Sequence, residues 1–320
     1  MLKANAYGHG AIEIAKATEN LVDWFGVATS EEGVELRLNN IYKPILITVF
    51  SIKDCEIAVR YNLTPIIYSL EQVLELNQAA ESKAKHINIH IKIDTGMNRL
   101  GLKSFEEFEE LINTVKCLPN IQLEGICTHF YDNDINTLNN QKAVFDRFIY
   151  NYKNVICHIS SSNTVMIDSK YHYDMVRIGL LAYGYSDYKG FQPVMNVLSE
   201  VITIKDVNRS ESAGYSGIFK PFKNTRVAVI RGGYYDGVSR NLLGANVIIN
   251  NNLCKIVAVC MDVTIIEIGN LNIRIGDNVI IIGTMSNNKN TAIELARHSG
   301  TIPYEILTNI KGRIERIYYD

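Results

Sequence analysis

The chain has 320 residues, 47% of them hydrophobic, and its 32 Lys and Arg face 34 Asp and Glu for a formal net charge of −2. That length makes room for about two domains with real cores, and the balanced charge offers no general attraction for nucleic acid or an anionic membrane. Six cysteines occur without a Cys-x-x-Cys pair or Cys/His ligand spacing, so neither a metal site nor a disulfide framework is indicated. The start lacks a basic segment followed by an apolar one, and no apolar run reaches the roughly 18 residues of a membrane span. The expectation is a soluble cytoplasmic protein with reduced thiols and a small neutral or zwitterionic ligand.

From residue 8 to about residue 190, helical and strand-like patterns alternate. "HGAIEIAKATENL" has helical apolar spacing and "WFGVAT" is a short strand-type run; "EEGVELRL" and "PILITVF", "DCEIAVRYN" and "TPIIYS", and "LEQVLELNQAAESKA" and "INIHIKIDTG" repeat the plan. "FEEFEELINTVKCL" with "IQLEGICTHF", "QKAVFDRFIYNYK" with "VICHIS", and a final "YDMVRIGLLAYG" bring the count after Lys3 to seven strands. Strict alternation predicts right-handed βαβ units and a parallel sheet, either a closed (β/α)8 barrel or an open doubly wound sheet. A barrel needs eight strands, so Lys3 is expected at the end of a first strand whose body lies upstream of this sequence. Without that strand the barrel is expected to open between its second and eighth strands and expose unpaired backbone groups.

Beyond residue 196 the runs shorten: "EVITIKDVN", "RVAVIRGG", "ANVIINNNLCKIVAVCMDVTIIEIG" and "NVIIIGT", with one helical piece, "TAIELARHSG". This pattern predicts a mainly antiparallel β domain over residues 196–320 after a barrel over residues 1–195. The asparagine-rich "NNN" and "NNKN" stretches read as turns.

Active sites of such barrels lie at the C-terminal ends of the strands. Taken in order, those ends carry Lys3, then Lys92 and Asp94, then His129, then His158 with Ser160, Ser161 and Ser162, then Arg177 and Gly179. Hydroxyls and backbone donors after the last two strands suit a phosphate, and a lysine elsewhere on the mouth suits an aldehyde. Pyridoxal 5'-phosphate meets both requirements.

The segments "LKANAYGHG", "KIDTGMNRLG", "THF", "MVRIGLLAYGYS", "AGYSGIF", "GGYYDGVSR", "VCMD" and "TIPYEI" resemble, in order and spacing, those of the alanine racemases over essentially the whole chain. The resemblance implies a pyridoxal phosphate enzyme with a (β/α)8 barrel followed by a β domain. It implies interconversion of L- and D-alanine by a head-to-tail homodimer with shared active sites, supplying D-alanine for peptidoglycan. By that resemblance Lys3 carries the covalent link to the cofactor, and Ser162, the amides of Gly179 and Leu180, and the phenol of Tyr304 hold its phosphate, with Tyr7 on the same side. Arg177 faces the pyridine nitrogen. Tyr215 is the second proton carrier, reaching the partner's barrel, with His129 and Arg177 as the hydrogen-bonded relay behind it. Arg99 contacts the cofactor's phenolic oxygen and the substrate carboxylate. Lys92 matches a lysine that is carbamylated in many members and orients that arginine. Met261, through its amide, Asp262 and Tyr234 line the substrate entrance.

Racemisation requires proton carriers on opposite faces of the substrate, since a single base returns the proton to the side it left. A lysine of pKa about 10.4 is neutral in only roughly one molecule in a few thousand at pH 7, so crowding by cations must lower that value. His158 reads as a strand-end residue satisfied by local hydrogen bonds. The chain departs from the family at Ser161, where Asn is common, and at "GGYYDG" for "IGYADG", which puts a bulky Tyr235 near the entrance. The related decarboxylases of basic amino acids place a glutamate where this chain has Arg177, and barrel-only cofactor carriers lack the domain that supplies Tyr215. Racemisation of serine stays open beside that of alanine. The remaining alternative is an inactive or cofactor-binding relative, on account of the missing upstream strand.

Overall fold

Seven short runs of β-branched residues form a parallel sheet in sequential order: β1 Phe25–Val27, β2 Ile45–Ile47, β3 Thr64–Ile67, β4 Ile87–Lys92, β5 Ile121–Cys127, β6 Ile156–Ser161 and β7 Met175–Arg177. Every residue of β1, β2 and β3 is buried, as expected where both faces of a parallel sheet are covered. Each strand is followed by a helix or a short helical turn, several of them started by a side-chain cap; Ser104 and Glu107, for example, form a reciprocal capping box for Phe105–Cys117. This is the barrel-type βα architecture expected. The computed structural model describes every residue except Asp187 and Asp320.

The expected gap between the sheet edges is bridged over two residues. The amide of Leu2 donates to Gly26 O of β1 at 2.7 Å, and the nitrogen of Met1 donates to Ile178 O, just past β7, at 2.8 Å. Gly26 makes room for this: a Cβ there would lie 2.5 Å from Met1 Sδ.

The chain divides into two compact units, Met1–Ala6 with Gly10–Ala182, and Tyr7–His9 with Tyr183–Asp320. In the second, β8 Val197–Val207, β9 Thr225–Arg231, β10 Asn246–Ile249, β11 Asn252–Val259, β12 Val263–Glu267, β13 Asn278–Met285 and β14 Asn288–Asn290 pair antiparallel in the order β10-β11-β12-β9-β8-β13-β14. A further pairing of β10 with β13 closes the ring around Val207, Val227 and Val257. The "NNN" stretch is the turn expected: Ile249 pairs with Asn252, leaving Asn250 and Asn251 at φ of 47° and 62°. "NNKN" differs. Its turn is Ser286–Asn287, while Asn288–Asn290 pair with β13, because the buried Asn290 amide donates to Asn246 O and Ile281 O and so tolerates a strand position.

Arg37 fastens the outer layer of the barrel unit. At the end of the helix Ser30–Leu38, it donates to four carbonyls: Tyr61 O at 3.0 Å, Ile41 O at 2.7 Å, Lys43 O at 2.8 Å and Asn62 O at 2.9 Å. Removing a charged donor leaves all four without it, and each such bond contributes about 1.5 kcal/mol or more. Arg37→Met should therefore lower unfolding free energy by about 2 kcal/mol or more in urea titration; a loss under about 0.5 kcal/mol, typical of a plain surface change, would contradict this role.

Candidate active site

Lys3 opens a turn of the wrong hand. Ala4, Asn5, Ala6 and Tyr7 all have φ of 53–54°, a left-handed conformation that L-residues normally adopt singly and that costs about 1–2 kcal/mol each. The surrounding structure holds the turn in place. Glu32 accepts from the amide of Ala4 through Oε1 and from that of Ala28 through Oε2, both at 2.7 Å. Asn5 accepts from Gly10 N through its carbonyl at 3.0 Å and from Ala11 N through Oδ1 at 2.8 Å. Burial lowers the pKa of the Lys3 amine, the Arg99 and Arg177 charges lower it further, and Glu32 partly opposes them. The lowering expected from the sequence is present, with desolvation ahead of charge repulsion as its cause.

The strand ends gather the other barrel residues. Lys92, the last residue of β4, is buried, which lowers its pKa, while Cys127 pulls the other way and Arg177 and Arg99 add to the lowering. The loop that follows folds back on the strand: Asp94 accepts from the amides of Gly96 and Asn98, and Leu102 N donates to Lys92 O at 2.9 Å, leaving Arg99 exposed. Gly101, at φ +128°, permits this return, since a Cβ there would lie 2.6 Å from Asp94 N. After β6, Ser162 Oγ accepts from the amides of Gly179 at 2.8 Å and Leu181 at 3.3 Å, which leaves its own proton to donate. Leu180 lies between these two amides and is buried.

Arg177 ends β7 and is the hub of the barrel set. It donates from Nη2 to Thr128 O at 2.7 Å, Ile159 O at 3.0 Å and His129 Nδ1 at 3.2 Å, and from Nη1 to His158 Nδ1. His158 Nε2 in turn lies 2.7 Å from His90 Nδ1. His158 is thus satisfied, as the sequence suggests, but by Arg177 itself. Burial, and then the Arg177 charge, push the His129 pKa down to about 3; burial and Arg177 hold His158 well below the usual imidazole range.

The β unit holds its own set. Tyr7 packs beside Tyr183 at 5.3 Å and Tyr304 at 5.7 Å between ring centres, and burial raises the Tyr304 pKa. Gly8 must be glycine here: at φ +84°, a Cβ would lie 2.3 Å from Leu307 O. Tyr215 is 71% exposed on a short turn after Gly214. Tyr234 lies on a segment tied to the one carrying Met261 and Asp262: Tyr234 N donates to Cys260 O at 2.9 Å, and Tyr235 N to Met261 O at 3.2 Å. Arg313 braces both, donating to buried Asp236 and, at 2.8 Å, to Asp262, with its guanidinium 5.0 Å above the Tyr235 ring. The bulk noted at Tyr235 is therefore a platform for Arg313.

Sequence reasoning assigned no role to Glu32, His90, Glu124, Asp236 or Arg313. The capping-like "SEE" around Glu32 was a usable signal; the others act through partners far away in the sequence.

His90, His129 and His158 all have lowered pKa values. Below about pH 6.5 the unfolded chain binds protons that these folded rings refuse, so their contribution to stability is complete above that pH and is lost on acidification, for His129 down to about pH 3. Urea unfolding should weaken between about pH 7 and 5 by up to roughly 1.4 kcal/mol per pH unit for each ring. Imidazole NMR should find His129 neutral at about pH 5, and a ring titrating near 6.5 would contradict the geometry.

Residues 1–187 match the family model described as alanine racemase, N-terminal domain, and residues 194–318 match the alanine racemase C-terminal domain. Alanine racemase 2 of Caldanaerobacter subterraneus subsp. tengcongensis is 36% identical over 99% of this chain and 87% of its own length. The alanine racemase of Thermodesulfovibrio yellowstonii is 35% identical over 99% and 88%. Among solved structures, alanine racemase of Clostridium difficile 630 superposes with a TM-score of 0.89 at 32% identity, covering 99% of this chain and 87% of that one. The enzyme of E. faecalis gives 0.91 at 30% identity, over 98% and 88%. Matched by family models over both its units and by relatives along almost its whole length, the chain belongs to the alanine racemase family.

Proposed function

We propose that the chain interconverts L- and D-alanine with pyridoxal 5'-phosphate, using Lys3 and Tyr215 as proton carriers on opposite faces of the substrate. The observation that carries this reading is the Lys3 amine, held on a strained left-handed turn and deprived of part of its proton affinity by burial and two arginines. The residues present fit the cofactor: Ser162 Oγ, already accepting from two amides, has a proton to give a phosphate, and Lys3 has the lowered basicity that attack on an aldehyde requires. When bound, the cofactor supplies an electrophilic carbon for amines and a conjugated ring that spreads the negative charge left by a departing α-proton.

This chain's residues do the rest. Lys3 Nζ, with its lowered basicity, would take or return the α-proton on one face of the substrate. Arg177 is always charged and donates readily without surrendering its proton, so, as the residue assigned to the cofactor's ring nitrogen, it would leave that nitrogen largely unprotonated and so moderate electron withdrawal and limit side reactions. Its grip on His129 Nδ1 leaves that ring's proton on Nε2, available to stabilise a phenolate. Lys92 has the lowered pKa that carbamylation needs, and a carbamate there would replace a cation with an anion for Arg99 to pair with. Arg99, exposed on its loop, is assigned to the substrate carboxylate. Met261, Asp262 and Tyr234 are assigned to the substrate entrance.

Tyr215 is proposed to act in the barrel of a second copy within a head-to-tail homodimer. Supporting this, its loop exposes three large side chains close together in sequence: Tyr215, Ile218 at 49% and Phe222 at 96%. We assign the enzyme to the cytoplasm, where its D-alanine would enter peptidoglycan synthesis; among the described residues no helix is long and apolar enough to cross a membrane.

Tyr215→Phe should reduce α-proton exchange from L-alanine by about 10²-fold or more, the usual range for a lost acid–base group, while exchange from D-alanine falls much less. Equal losses from both enantiomers would remove its face-specific role.

A further inference from the structure

Arg177 carries a buried positive charge, yet the acceptors it meets are two carbonyls and two imidazoles, none of them anionic. The tautomers along this chain follow from one fact: a guanidinium has donors only. His158 must accept at Nδ1, so its proton sits on Nε2 and points at His90 Nδ1, 2.7 Å away. His90 therefore accepts at Nδ1 and carries its own proton on Nε2. That atom faces Oε2 of Glu124 at 3.8 Å, longer than a hydrogen bond, and both atoms are buried with no hydrogen-bond partner. Both hydrogen bonds donate in the same sense, from Arg177 through His158 to His90, and the Nε2 proton of His90 is directed at the Glu124 carboxylate across the longer 3.8 Å contact.

We propose that Glu124 and His90 are positioning residues for Arg177, forming a carboxylate–imidazole–imidazole–guanidinium series that supplies the counter-charge Arg177 lacks locally. A carboxylate behind a histidine raises the electron density on the ring's other nitrogen, the logic by which outer carboxylates strengthen metal-bound histidines. Aligned bonds in a dry interior reinforce one another. Glu124 thereby strengthens His158 Nδ1 as an acceptor, fixes one face of the guanidinium, and keeps Nη2 turned toward His129. The local structure makes room for this arrangement. His90 and His158 are fully buried, Trp24 packs edge-on to His90 at 5.3 Å, and Gly125 leaves a space that its own Cβ would fill, 2.5 Å from the His90 ring.

The proposal rests on the racemase reading only for the importance of Arg177, so its test includes a readout independent of activity. Imidazole heteronuclear NMR of the whole protein, with and without pyridoxal phosphate and assigned through His90→Asn and His158→Asn, should show His90 and His158 neutral and protonated at Nε2. Glu124→Gln, a near-isosteric change at a side chain 24% exposed, should move the His158 Nδ1 resonance and lower kcat about tenfold, the low end for an outer partner of a bound group, with KM for alanine little changed. Adding His90→Asn to Glu124→Gln should cost little more than the worse single change, as expected of one series. A His158 ring protonated at Nδ1, or His158 resonances unmoved by Glu124→Gln, would overturn the proposal. Absence of racemase activity in the wild type beside the expected tautomers would instead fail the functional reading alone.

Discussion

A buried guanidinium that can only donate organises the barrel half of this site. Arg177 is fixed by Thr128 O and Ile159 O, carbonyls that follow β5 or belong to β6, so its orientation is set by strand register. Everything near it then responds to its charge: Lys3, Lys92, His129 and His158 all have their proton affinity reduced by it, in each case behind the larger effect of desolvation. Two lysines and several imidazoles thereby hold their protons less tightly than usual, the direction acid–base chemistry needs. The same field stabilises negative charge that develops nearby.

A second constraint is conformational. Four consecutive left-handed residues after Lys3 cost on the order of 4–8 kcal/mol by the usual per-residue penalty, comparable to a domain's whole stability margin. The turn survives because Glu32 and Asn5 accept from amides of the turn and of the adjoining chain. Such strain is tolerated where position matters more than local energy, and here it fixes where the Lys3 side chain leaves the backbone.

The fold was legible because burial on both faces of a parallel sheet leaves apolar runs such as "PILITVF" and "VICHIS" that alternate with helical periodicity. "NNKN" was misread since a buried strand asparagine looks the same in sequence as a turn asparagine; only Asn246 O and Ile281 O, distant in the chain, distinguish Asn290. The handedness of the turn after Lys3 leaves no trace in residue type, because alanine has no preference for that conformation. The site residues were named through family motifs, with strand ends alone suggesting a phosphate and a lysine-bound aldehyde. Glu124 and His90 had no such signal. His90 and His158 are 68 residues apart and meet only because β4, β5 and β6 are neighbours.

These features make one claim together: Lys3 is a lysine tuned for proton transfer in a two-sided racemase. The most direct measurement is D-alanine formation from L-alanine by the purified chain supplied with pyridoxal 5'-phosphate, followed to equilibrium from both enantiomers. The account predicts convergence on one L:D ratio from either side, and no conversion by Lys3→Ala. Failure of the wild-type chain to convert either enantiomer, or full activity without Lys3, would contradict it.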